Sequence, residues 1–325
     1  MRLPIILSLC VFSSPVIADV PKVVTDIPAV HALVAQVMGD LGQPVLLLDR
    51  SADAHDFQLR PSQAQALASA DLLVWIGPEM TPWLERTLAG LSIKGEALGL
   101  LASEGTYRRA FSEKDAHDHA GHAHDDGDDH PDPAPAEDHA HESDHEGHAH
   151  GSDGVDPHAW LDPGNAQGWL TLIAAELSHL DAANADTYKA NADTAAKAIS
   201  TLDATLAARL APARDKPFVV FHDAYGYFVG HYGLTVAGSI SLGDAAAPGA
   251  ARLRAVQDML KAESIVCIFP EAQHDSRLVE TVVEGTTVKI GGTLDPSGSS
   301  FDPGLGLYAA VLTGLADTLV DCLTK

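Results

Sequence analysis

Seventeen histidines are the most chemically telling feature of the 325-residue chain, and they fall into two populations. Ten crowd into residues 117–150, while His31, His55, His158, His179, His222, His231 and His274 are scattered through sequence of ordinary composition. Three of the scattered seven stand where strands end or in the turns that follow. His55 lies in Ala54-His55-Asp56-Phe57, shortly after the apolar run Val45-Leu46-Leu47-Leu48. His158 lies in the rigid turn Asp156-Pro157-His158-Ala159-Trp160-Leu161-Asp162-Pro163, and His222 directly follows Phe218-Val219-Val220-Phe221. Open α/β sheets place ligand groups at the carboxyl ends of their strands. Asp295, in Gly291-Gly292-Thr293-Leu294-Asp295-Pro296, follows the run ending at Ile290 in the same way. Imidazole suits Zn²⁺, and three neutral histidines completed by a carboxylate or a water make a tetrahedral site. Manganese or calcium would call for more oxygen donors. The candidate ligands are therefore His55, His158 and His222, with Asp295 or a water in fourth place. His31 and His179 fall in helical segments and read as structural, and His231 and His274 read as surface residues.

The elements that must position these residues alternate between strand and helix. Short apolar runs at Lys22–Thr25, Val45–Leu48 and Asp71–Gly77 predict strands, and the segments Pro28 to Gly39 and Pro61 to Ala70 between them predict helices. Such alternation implies a parallel sheet covered on both faces. Asn165 to Leu180 has helical spacing. From Ala183 to Leu210 there is neither Gly nor Pro, and Tyr188, Ala192, Ala195, Ile199, Leu202, Leu206 and Leu210 recur at three and four residues. That predicts one helix of roughly 40 Å at 1.5 Å per residue, long enough to run along two lobes; an ordinary surface helix of one domain has the same periodicity. The alternation then resumes. Strands are expected at Phe218–Phe221, Ser264–Phe269 and Thr287–Ile290, and helices near Arg252 to Ala262, after Ser276 and from Gly306 to Leu323. No glycine-rich phosphate-binding motif follows any of these strands, so nucleotide binding has no support.

Between residues 115 and 152 the composition changes abruptly. From His117 to His150 there are ten His and eleven Asp or Glu, with no Lys or Arg and almost no large apolar side chain, so the stretch cannot bury a core and reads as a disordered loop. Four His-x-His pairs occur in it: His117 with His119, His122 with His124, His139 with His141, and His148 with His150. With His130 and His145 they could gather Zn²⁺ weakly in exchangeable arrangements, weaker than a preformed site because the chain must be ordered around the ion; a solvated tether without a binding role is the bland alternative. His141-Glu142-Ser143-Asp144-His145 formally matches the zinc-protease pattern H-E-x-x-H. That pattern works only on a helix, and the Asp, Ser and Gly around it support none.

Composition narrows the partners. A formal net charge of −25 argues against nucleic acid or an anionic membrane as partner. Arg2, the apolar run from Leu3 to Phe12 and the small-residue ending Val16-Ile17-Ala18 have the layout of a secretory signal peptide, which places the mature chain in the periplasm. Nothing after it approaches the roughly twenty apolar residues of a membrane span. Cys10 follows Leu9, where a lipid-attachment signal wants a small residue. Loss of the leader leaves Cys267 and Cys322, an even pair that in an oxidising compartment reads as one disulfide tying the last helix to a core strand; two buried free thiols are the alternative.

The longer motifs carry a resemblance. Ala54-His55-Asp56-Phe57-Gln58-Leu59-Arg60-Pro61-Ser62, followed by Ala70-Asp71-Leu72-Leu73-Val74-Trp75-Ile76-Gly77-Pro78-Glu79-Met80, resembles the first-lobe signature of the ZnuA family of zinc-binding proteins. Asp156–Pro163, Phe221-His222-Asp223-Ala224-Tyr225 and Gly292–Pro296 are similar to the family's later motifs, and the acidic His-rich insertion and a disulfide like Cys267 with Cys322 are family habits. The resemblance implies two α/β lobes joined by one long helix with the metal in the cleft. It further implies a non-enzymatic carrier that hands Zn²⁺ to an ABC permease driven by a cytoplasmic ATPase. Histidine at 222, where manganese-binding relatives carry a carboxylate, favours zinc. One departure is Ala54, where many members have Glu, which leaves the fourth position to Asp295 or water. The expected organisation is a signal peptide over 1–18, an N-terminal lobe over 19–182, a linking helix over 183–211 and a C-terminal lobe over 212–325, acting as a monomer that another periplasmic protein could supply with zinc. Competing functions on the same residues are a manganese or iron carrier, a surface adhesin of this fold, and a zinc-dependent hydrolase with Asp295 as its base.

Overall fold

In the computed structural model, residues 20–50, 52–91, 93–111, 154–241, 248–262 and 264–325 are described. The expected signal segment and the His/Asp-rich tract, with all ten of its histidines, lie outside them.

The first half builds β1 (Val23–Thr25), α1 (Pro28–Met38), β2 (Val45–Leu46), α2 (Pro61–Ala68), β3 (Leu72–Trp75), α3 (Pro82–Gly90) and β4 (Glu96–Gly99). Its four strands are all parallel, in the order β2-β1-β3-β4. After the tract come α4 (Pro163–Leu180) and α5 (Ala185–Leu210). The second half follows as β5 (Phe218–His222), α6 (Gly226–Tyr232), β6 (Val236–Ser241), α7 (Ala250–Ala262), β7 (Cys267–Ile268), α8 (Arg277–Val283), β8 (Lys289–Ile290) and α9 (Leu307–Leu323), with a second parallel sheet ordered β6-β5-β7-β8. Helices α1 to α4 each begin on a proline, whose fixed φ suits the first helical turn and whose missing N–H is not needed there. The two-sheet α/β architecture with a long helix is thus as expected. Four elements had no strong signal in the sequence: α3, α6 and the edge strands β4 and β6.

Period-two alternation assigns each strand residue to a layer. Val23, Leu72, Val74, Phe218, Val220 and Cys267 share one continuous core with α1, α4, α5 and α9, which runs through both halves. The alternate residues Val24, Leu73 and Trp75 pack into a separate cluster on the far face of the first sheet, and Val219, Phe221 and Ile268 into another on the far face of the second. Helix α5 buries Tyr188, Ala192, Ala195, Ile199, Leu206 and Leu210, with Leu202 partly buried, against α4, α1 and α9. Its stripe therefore touches helices of both halves. Cys267, inward on β7, is bonded to Cys322 of α9, as the paired cysteines suggest. Among the described residues no helix is long and apolar enough to cross a membrane.

Asp26, at the end of β1, is fully buried and accepts the N–H groups of Ile27 at 2.8 Å and Ile76 at 2.9 Å. Burial, only partly opposed by these bonds, raises its pKa from 3.8 to about 7. The folded state therefore holds the proton more tightly than the unfolded chain. The stability gained this way is complete below 3.8 and is lost as pH rises through about 7. Asp26→Asn cannot ionise, so it is expected to gain on the natural protein by on the order of 2–3 kcal/mol between pH 5 and pH 8, from 1.36 kcal/mol per pKa unit. Urea unfolding of both metal-free proteins across that range checks it; parallel pH profiles would contradict the assignment.

Candidate metal centre

Each of the three candidate histidines is fixed by its own loop. His55 sits between β2 and α2. Its backbone N–H donates to Asp53 Oδ1 at 2.8 Å, and the carbonyl of the buried Ala54 accepts from Trp83 Nε1 of α3 at 2.7 Å. His158 is 2% exposed, and Asp156 Oδ1 takes both its backbone N–H at 3.0 Å and its Nδ1 at 2.8 Å. Asp156 is itself braced: Arg109 Nε lies 3.6 Å from its Oδ2, and Tyr227 donates to its backbone carbonyl at 3.0 Å. Trp160, whose ring centroid is 5.2 Å from that of His158, donates to the carbonyl of Pro296 in the second half at 2.9 Å. His222 is the last residue of β5, and its Nδ1 is 2.7 Å from Glu271 Oε2, which also accepts from Tyr225 Oη at 2.9 Å.

The three rings line one cleft between the halves, together with Asp53, Met80, Glu271, His274 and Ser297. His158 stands in the middle, its centroid 5.5 Å from that of His55 and 5.3 Å from that of His222. The Nε2 atoms of His158 and His222 are 3.4 Å apart. In the neutral tautomer that donates Nδ1–H to its carboxylate, each ring turns an Nε2 lone pair toward the other. Two lone pairs cannot hydrogen-bond each other, but they can share a cation. Two nitrogens bound to one tetrahedral Zn²⁺ at about 2.0–2.1 Å are themselves about 3.3–3.4 Å apart. The carboxylate–imidazole pairing is also the usual way of fixing the tautomer and raising the basicity of a metal-binding histidine.

Asp295, one of the two candidates for the fourth position, is bound into its own turn. Its Oδ1 accepts from Ser297 Oγ, Gly298 N, Ser299 N and Ser299 Oγ at 2.9–3.3 Å, and its Oδ2 accepts from Ser300 N at 2.7 Å. The carboxylate closes a turn through Gly298, at φ 77°, where an added Cβ would meet Val311 Cγ2 at 2.7 Å. Asp295 is not among the residues lining the cleft; Pro296 and Ser297 are. Its role here is to shape the wall.

His274 was expected at the surface. It instead stacks on Phe221, with centroids 4.2 Å apart and planes 8° from parallel, and lines the cleft. His231 is exposed as expected, though its Nε2 lies 2.8 Å from Asp203 Oδ1 of α5. His179 is exposed in the last turn of α4. His31 is buried in α1 with Nε2 3.2 Å from the Pro44 carbonyl, and burial lowers its pKa. Sequence reasoning missed Asp156, Glu271 and His274. Glu271 follows β7 as His222 ends β5, so the strand-end rule that found one could have found the other; Asp156 is two residues ahead of His158 in the same turn.

Comparison with known proteins adds a family. A family model described as ZnuA, zinc-uptake complex component A periplasmic, matches residues 23–322. The chain is 52% identical over 313 residues to a protein of Paracoccus denitrificans named high-affinity zinc uptake system protein ZnuA, a match covering 95% of this chain and 94% of that one. Among solved structures, the solute-binding protein FpvC from Pseudomonas aeruginosa in complex with Mn²⁺ is similar with a TM-score of 0.75 at 24% identity, over 94% of this chain and 99% of the other. The periplasmic zinc binding protein TroA from Treponema pallidum gives 0.73 at 19% identity, with the same coverage of 94% and 99%. At such identities the two structures speak to the fold alone, and they share the two-lobe α/β plan.

Proposed function

The chain belongs to the ZnuA family of periplasmic zinc-uptake components, and from that membership we propose that it captures Zn²⁺ at His55, His158 and His222 and delivers it to the permease of an ABC importer powered by a cytoplasmic ATPase. The observation that carries the ligand assignment is the pair of Nε2 atoms 3.4 Å apart, each on a ring whose Nδ1 is held by a buried carboxylate. Asp295 or a water completes the tetrahedron, since Ala54 offers no carboxylate. Membership of a zinc-uptake family supports capture and release without bond chemistry.

The lobe division at 19–182, 183–211 and 212–325 is part of this proposal, supported by the single-turn 3₁₀ segments Ala182–Asn184 and Ala211–Ala213 that flank α5. Cleavage after Ala18 and weak zinc scavenging by the ten tract histidines rest on composition alone. Metal analysis of the intact chain purified from medium holding zinc, manganese and iron at equal concentration is the test. One Zn²⁺ per chain surviving dialysis against a mild chelator is expected; one Mn²⁺ in its place, or no retained metal, would overturn the proposal.

A further inference from the structure

Beyond the three-histidine centre, the same wall of the cleft presents a second set of donors. One donor atom from each of His222, Glu271 and His274 can be chosen so that all three lie within 4.8 Å of one another. Glu271 is 3% exposed, and its two oxygens have different situations. Oε2 is occupied by His222 Nδ1 and Tyr225 Oη, whereas Oε1 is buried and accepts no hydrogen bond among the described residues. A buried carboxylate oxygen without a donor is costly, and a cation is a natural remedy. His274 Nε2 lies 3.6 Å from that oxygen, slightly more than the edge of a zinc tetrahedron.

We infer that Glu271 Oε1 and His274 Nε2 form a transfer station, a weak two-ligand position that holds the zinc ion in passing as it enters or leaves the three-histidine centre. The inference rests on that centre being the tight site. Three observations set the direction of travel. The imidazoles form a file, His55 to His158 to His222 to His274, with successive centroids 5.5, 5.3 and 5.6 Å apart. Side-chain exposure falls along it from 18% at His274 to 6% at His222 and 3% at His158, so His274 is the member of these three nearest solvent. The stack on Phe221 holds the His274 ring in place, so its nitrogen is positioned before an ion arrives. With only two protein donors, the remaining positions fall to water, which makes exchange fast. An ion stepping inward trades its waters for imidazoles one at a time and avoids complete dehydration in a single event.

The test is kinetic, on the full chain. His274→Phe keeps a ring to stack on Phe221 and removes the donor. Zinc loading and chelator-driven release are each expected to slow by about tenfold, the signature of a barrier raised equally in both directions, with the equilibrium affinity essentially unchanged. The His-rich tract is common to both proteins and cancels in the comparison. Unchanged rates would overturn the station, and so would weaker affinity arising from faster release alone, since that would make His274 an ordinary ligand. As a second measurement, zinc-edge anomalous diffraction from His158→Ala crystals in excess zinc should place an ion between Glu271 and His274, and none there after His274→Phe is added; an empty position in His158→Ala counts against the station. Should the natural protein fail to bind zinc tightly, the proposed function fails; should it bind tightly with neither signature, only the station does.

Discussion

Replacing His158 by alanine is expected to weaken tight zinc binding by roughly 10²–10³-fold. Apparent zinc-binding free energies of about 10–16 kcal/mol shared over four ligands give about 2.5–4 kcal/mol each, and each 1.4 kcal/mol is a factor of ten. His158 is the most consequential of the three because it is central: both 5.3 Å and 5.5 Å neighbours are measured from its ring, and its Nε2 is the one found 3.4 Å from that of His222. Its loss also leaves the 1% exposed Asp156 without its imidazole partner. Competition against a chromophoric chelator measures the effect, and the thermal midpoint of the metal-free variant verifies that the fold survives. Affinity within threefold of the natural protein would show that the ion is held elsewhere.

Removing the disulfide is expected to cost about 4 kcal/mol of folding stability, the chain-entropy value for a loop closed across a sequence separation of 55 residues. The bond joins the inner face of β7 to α9, and α9 packs on both α5 and α1, so it fastens the end of the chain to the core shared by both halves. Cys267→Ser with Cys322→Ser should therefore lower the melting temperature of the metal-free protein by on the order of 5–10 °C. Coincident melting curves for the oxidised protein and the double variant would show that packing alone secures α9.

Much of this was readable from residue order, and the exceptions have physical causes. Central strands such as Leu72–Trp75 and Phe218–His222 are buried along their whole length and announce themselves as unbroken apolar runs. Strands β4 and β6 lie at sheet edges, where one side needs no partner, and Glu96-Ala97-Leu98-Gly99 and Val236-Ala237-Gly238-Ser239-Ile240-Ser241 break any apolar run with Glu, Gly or Ser. The long helix was legible because its stripe of Tyr, Ala, Ile and Leu is uninterrupted by Gly or Pro. Within the centre, the histidines could be found because strand ends are where such sheets present side chains. The fourth position stayed open between Asp295 and a water. Asp295 has the strand-end address of a ligand, and the Ser-Gly-Ser-Ser that follows supplies the local donors that bind its carboxylate into a turn. His274 was missed because a single histidine five residues beyond the run ending at Phe269 carries no signal until Phe221 is seen beneath it.

The core that runs without a seam from the first sheet to the second has a mechanical consequence. Splaying the halves widely apart would strip water-shy surface from α1, α4, α5 and α9 together, a penalty far larger than ordinary thermal agitation supplies. The shared core thus ties the two halves into one stiff bracket. Under the proposed function, release would then call for small shifts of the loops bearing His55, His158 and Ser297 in place of wide lobe opening.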